Sequence, residues 1–233
     1  EVEIGEIGSI DVGSEAGPGG EVAIRATIID LNPGGEIRAD GATDGGMVAL
    51  GDSTTGQLNL PFGSSVTADG RGGNGGAIAM PAQGLSIGGS VGASGELGGG
   101  AVALEGSIVR IEGQLQAIGR QGAGGSISAI ASEGLIVGQT GILNASGETN
   151  GGGILMSATG DATVEIAGQL FANGTQGNGG RISITGREDI FVRSTSLLST
   201  SGKVDGGAIV VRSDVGNVDF QGTALSLGES GAG

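Results

Sequence analysis

Carboxylates are the main groups in this chain that could do acid–base chemistry. His and Cys are both absent, which removes the commonest general base, the commonest metal ligand, thiolate nucleophiles and disulfides. Among the 25 acidic residues, Glu188-Asp189, Asp214, Asp219 and Glu165 are the candidates for a working pair on one face, as polysaccharide lyases and glycosidases use. Such clefts also lean on aromatic platforms, and the chain has no Trp, no Tyr and four Phe. A second set, Asp44, Asn74, Asn178 and Asp205, stands immediately before Gly-Gly pairs. Their oxygens could ligate calcium, yet the G-G-x-G-x-D spacing of calcium-binding β-rolls is not written here. Asn or Asp before Gly is also a turn signal in its own right. The expectation is no catalytic residue, no metal site and no cofactor, with the carboxylates as solvated outward groups.

The elements that carry these residues repeat. Gly-Gly pairs recur with first glycines at 19, 45, 75, 99, 124, 152, 179 and 206, a period in the range that signals a repeat architecture. After each pair comes a first column of alternating apolar residues: Val22/Ile24, Val48/Leu50, Ile78/Met80, Val102/Leu104, Ile127, Ile154/Met156, Ile182/Ile184 and Ile209/Val211. Before each pair comes a second column, written apolar-x-small-x-Gly or close to it. Its leading residues are Ile10, Ile37, Val66, Val91, Leu115, Leu143, Leu170, Leu198 and Leu225. A looser third column precedes the second, at Leu58/Leu60, Leu85/Ile87, Val109/Ile111, Val164/Ile166, Ile190/Val192 and Val218/Phe220. In Leu170–Ile184 the faces are explicit: Leu170 and Ala172 point one way and Phe171 the other, and Ile182 and Ile184 alternate with Arg181 and Ser183.

Like columns match about every 27 residues, as the positions above show, so sequence neighbours do not pair as they do in hairpins, sandwiches or up-and-down barrels. Helix is excluded by the i, i+2 apolar spacing and by the frequency of glycine. What remains is an all-β chain folded as a parallel β-helix, a β-solenoid of about nine coils with three short strands each. Right-handedness is expected from crossover chirality. The whole of 1–233 forms one domain. Met80, Met156 and Phe220 serve as larger core fillers, and corner glycines supply positive φ or close backbone approach. Coil length varies little, so no long insertion builds the wall of a cleft.

Composition agrees from the other side. The 55 glycines do not fall at every third position, which excludes collagen, and patterned Ile, Val and Leu argue against disorder. No run of apolar residues is long enough to cross a bilayer as a helix. A formal charge of −15 repels nucleic acid and anionic membranes, so neither nucleic-acid binding nor membrane insertion is expected. Arg38, Arg110, Arg181, Arg193 and Arg212 sit at outward strand positions, where pairs with carboxylates one coil away are expected.

The units GNGGRISI, ASGETNGGGILM and LFANGTQGNGG resemble the repeat region of filamentous-haemagglutinin-type exoproteins, the large partners in bacterial two-partner secretion. The resemblance runs from Val2 to about Gly228. It implies a structural shaft, extracellular or at the cell surface, of an exported bacterial adhesin or fibre, and it carries over no catalytic residue. The alternatives are a carbohydrate-active β-helix enzyme and an acidic, cation-binding surface-layer protein. Neither end is written with a cap, and the pattern would restart a corner at 231–233. The expected partner is therefore more of the same solenoid, stacked head to tail, alongside cell-surface or matrix components.

Overall fold

The computed structural model describes residues 2–5 and 8–230. The expected restart of the pattern at 231–233 lies outside them. The described residues form an all-β parallel solenoid of about eight turns with no helix. The second column is a nine-stranded parallel sheet running from Ser9–Asp11 through Glu36–Arg38 to Thr223–Leu225. The first and third columns are joined in a 15-stranded sheet, because Ala101–Ile111 and Ser126–Val137 each run through both columns without a break. Every named strand pair is parallel and joins equivalent strands of adjacent coils, for instance Leu143↔Leu170 and Ile154↔Ile182.

Side-chain alternation explains why these short strands hold. Leu170, Ala172, Ile182 and Ile184 are fully buried, whereas Phe171 and Ser183 are half-buried and Arg181 is exposed. No three-residue strand buries enough apolar surface to stand alone, but stacked rows fill one continuous core. That core takes in two rows of the third column that the sequence pattern passed over, Ile29/Leu31 and Leu135/Val137. The second is hidden in the sequence because no turn residue separates it from Ile127 and Ala129 on the same long strand.

Two positions of the repeat need correction. In the last second-column row, Leu198 pairs with Ala224 and not with Leu225. Leu225 belongs to the other face, and the stacking of Gly202 on Gly228 fixes that register. At the corner Gly151-Gly152-Gly153, the first of the pair is Gly151, whose N–H donates to Asn178 O at 2.9 Å as Gly124 N–H does to Asn150 O at 2.9 Å. A run of identical residues had hidden the register. Phe220 faces the core column, in register with the fully buried Val192 one coil below, and is 39% exposed in the last described row.

Candidate functional site

Three kinds of corner join the columns, and they differ in what they demand of the chain. At the glycine corner the same hydrogen bonds repeat in coil after coil. The first glycine of the pair donates to the next coil, as Gly45 to Asn74 O and Gly99 to Ala123 O, both at 2.9 Å. The second donates back within its own coil to the small residue of apolar-x-small-x-Gly, as Gly125 to Ala117 O at 2.7 Å and Gly180 to Ala172 O at 2.6 Å. A Cβ on Gly125 would lie 2.0 Å from Gly100 O, and one on Gly152 2.0 Å from Gly125 O. None of these corner glycines has a positive φ: among the described residues the positive-φ glycines are Gly34, Gly51, Gly63 and Gly160. Of the two expected roles, close backbone approach is the one the corner uses.

Side-chain oxygens reinforce the same stack. Asp44 Oδ1 accepts from Asn74 N–H at 2.8 Å, and Asn150 Oδ1 accepts from Asn178 N–H at 3.0 Å. The Asx residues before Gly-Gly thus reach into the neighbouring coil, where a purely local turn bond was expected. A further ladder, unread in the sequence, occupies the residue just before the closing glycine of the second-column motif. Asp40 Oδ1 accepts from Asp69 N–H at 2.8 Å, Asp69 Oδ1 from Ser94 N–H at 2.6 Å, and Ser94 Oγ from Ile118 N–H at 3.1 Å. Ser146, Asn173 and Ser201 continue it, accepting from Asn173, Ser201 and Leu227 N–H. Burial, followed by the like charge of Asp40, raises the Asp69 carboxyl above its ordinary range, although the Ser94 bond pulls the other way. At the corner between the first and third columns, Asp52 is held below its usual value chiefly by hydrogen bonds from the Thr54 side chain and backbone.

The carboxylates with catalytic spacing are dispersed. Glu165, Phe191 and Asp219 stack in one outward line on successive coils, so a Phe row separates the two acids by two coil steps, about 10 Å. Glu165 is bound to Arg193 Nε at 2.7 Å, and the guanidinium also lies 4.8 Å from the Phe191 ring centre. Asp214 pairs with Arg212 at 2.8 Å, Asp189 accepts from Asn217 N–H at 2.7 Å, and Asp219 accepts from Gln221 at 2.9 Å. Glu188 contributes its backbone carbonyl to the Ser213 hydroxyl at 2.9 Å. No group of three or more acidic residues among the described residues is placed to hold a metal ion. Ion pairing also follows a different rule from the one expected. Arg38, Arg110 and Arg212 pair with carboxylates two residues away along their own coil, and only Arg187–Asp161 and Arg193–Glu165 cross between coils among the described residues. The i, i+2 pairs arise because alternate residues share a strand face.

The third corner, between the third and second columns, is where the surface departs from uniformity. It spans four residues at 61–64, 138–141 and 193–196, but two at 88–89, 112–113 and 167–168. Long corners stand out as ridges and short ones leave notches, so differences of two residues build the cleft walls that near-constant coil length had argued against. One notch of about 740 Å³ lies over Gly138 and Ala167, with Arg110 and Glu112 at one end and Glu165 and Arg193 at the other. Another of about 570 Å³ lies between the ridge Pro61-Phe62-Gly63-Ser64 and Thr140, with Gly88, Gly89, Glu112 and Gly113 in its floor. The long and short corners were present in the spacing of the second column, whose leading residues close up from Val66 through Val91 to Leu115.

Comparison of the chain with protein-family models, curated proteins and solved structures returns no match. Among the described residues no helix is long and apolar enough to cross a membrane.

Proposed function

We propose that this chain is a non-catalytic structural shaft, a segment of an exported bacterial surface adhesin or extracellular fibre of the filamentous-haemagglutinin type. The observation that carries this reading is the repeated coil-to-coil bonding at the glycine corner, where backbone and side-chain oxygens accept from the next coil along the length of the solenoid. Such a rod keeps one core along its length, and its coil-to-coil hydrogen bonds run parallel to its axis. Its negative charge keeps an extensive β-surface soluble. The candidate carboxylates are dispersed, and Glu165, Asp189, Asp214 and Asp219 each have a partner of their own, which favours a shaft over an enzyme.

Stacking end to end is part of the proposal. Each coil pairs its strands in parallel with the coil before it, and the same pairing can add a coil from a second copy. A head-to-tail contact that does not close yields an open filament. Two measurements test the proposal. A screen of neutral and acidic polysaccharides for released products should find none, and negative-stain microscopy should show rods or fibres one coil wide. Cleavage that disappears in Asp214→Asn or Glu188→Gln would replace the shaft with a carbohydrate-active enzyme.

A further inference from the structure

The notch between the ridge at 61–64 and Thr140 contains a residue that the fold does not require. Pro61-Phe62-Gly63-Ser64 is a turn closed by Ser64 N–H donating to Pro61 O at 3.1 Å, with Gly63 at φ 89°, the type II pattern. One coil earlier, Asn32-Pro33-Gly34-Gly35 makes the same turn, with Gly35 N–H on Asn32 O at 2.8 Å and Gly34 at φ 86°. Pro33 occupies the place of Phe62, and proline is the residue that position favours. The fold is therefore served without an aromatic ring, yet Phe62 is held 88% exposed on the crest of the ridge.

The floor beside the ring is polar and largely free of side-chain bulk, with Glu112 its one charge. Ser65, Ser90 and Gln114 stand in register on three successive outward positions of the second column, about 4.8 Å apart. Gly88, Gly89 and Gly113 leave the backbone bare between them. Their lack of side chains is a stacking requirement, since a Cβ on Gly113 would lie 1.9 Å from Gly89 O, but its consequence is open space. At the far wall Thr140 donates to Glu112 O at 2.8 Å and lies 3.2 Å from Glu112 Oε2, which fixes that carboxylate as an acceptor at the notch edge. The two short corners leave a gap of about 10 Å between the ridges.

We propose that this notch binds a neutral polysaccharide without cleaving it. A pyranose presents an apolar C–H face to an aromatic ring and a rim of hydroxyls to Ser, Gln and Glu, and the notch offers those groups together. Other occupants fit less well. The strands bordering the notch are paired on both sides, so an extended peptide finds no free edge to extend. An anionic chain meets Glu112 and a rod of charge −15. The inference goes beyond the shaft reading, which assigns no ligand, and does not depend on it.

The test is native gel electrophoresis through gels containing hydroxyethylcellulose, mixed-linkage β-glucan, galactomannan or pectin, paired with sedimentation of the protein alone. At least one neutral polysaccharide should retard the wild-type chain. Phe62→Ala should weaken that retardation at least 10-fold, and Gln114→Ala should weaken it to a lesser degree. Leu97→Ala, which removes a side chain 58% exposed at another corner, should leave it unchanged. Circular dichroism and melting confirm that each variant is folded. Retardation by none of the neutral gels, or retardation equal in Phe62→Ala, overturns the proposal. So does self-association that depends on Phe62 in the absence of polysaccharide, which would make a second copy the occupant. Each of these leaves the shaft reading standing, because that reading is decided by fibre assembly and product release.

Discussion

The glycine corner and the third-to-second corner both stack backbone on backbone, since a Cβ on Gly113 too would lie 1.9 Å from Gly89 O, but they differ in freedom of length. At the first, successive coils touch backbone to backbone, and a single added methyl group on Gly125 or Gly152 has nowhere to go. At the second, two or four residues serve equally well. A solenoid needs at least one rigid seam to set the stacking register. Once that seam exists, another corner can change length without disturbing the core, since short loop extensions cost little. The seam sets the stacking register while alternating between eight and nine residues, and the other corner, free to take two or four, shapes the surface.

Charge placed in the core marks the top of the scale on which that comparison can be tested. Leu170→Asp and Ile182→Asp should abolish folding, because an unpaired buried charge costs several kcal/mol, while Phe171→Asp and Ser183→Asp stay folded by circular dichroism. Next come two adjacent glycines. Gly152→Ala should destabilise by about 3 kcal/mol or more in chemical denaturation, because its Cβ would meet backbone. Gly153→Ala, whose Cβ would meet nothing within 4 Å, should be neutral or slightly stabilising. Similar losses at both positions would break the claim that the seam is steric. A corner graft sharpens it further: replacing Gly88-Gly89 by the four residues Asn-Pro-Gly-Gly should cost about 1 kcal/mol or less. Inserting two residues between Gly99 and Gly100 should be several-fold worse.

The smallest effect concerns the ladder beside the seam. Burial holds the Asp69 carboxyl above its ordinary range, so its neutral form favours the fold, and that contribution is lost as pH rises through the raised value. Asn keeps the oxygen that accepts from Ser94, as Asn173 does for Ser201 further along. Asp69→Asn should therefore raise the melting midpoint by about 2 °C at neutral pH and leave it unchanged near pH 3. A gain that persists at low pH would point to a cause other than ionisation.

Much of the solenoid was legible because period-two alternation and a repeat period reinforce each other: the columns led by Val48, Leu58 and Ile37 are core columns in the structure. Registration failed where the local text was degenerate, as in Gly151-Gly152-Gly153, or where an apolar residue stood beside a small one, as in Ala224-Leu225. The oxygen ladder was illegible for a different reason. Asp40, Asp69 and Ser94 belong to different coils, and a bond between coils leaves no mark on nearest-neighbour spacing. The notches do not show in average coil length, only in the length of each corner. Only corner by corner does Phe62 stand beside Pro33 as a ring the turn does not need.

The central proposal is a shaft whose coils stack along a fibre axis, and diffraction from aligned fibres of the assembled protein tests it most directly. The account predicts a reflection at about 4.8 Å on the meridian, because coils stack along the fibre. A reflection of that spacing on the equator, or material that remains as discrete particles with both terminal coils covered, would contradict it.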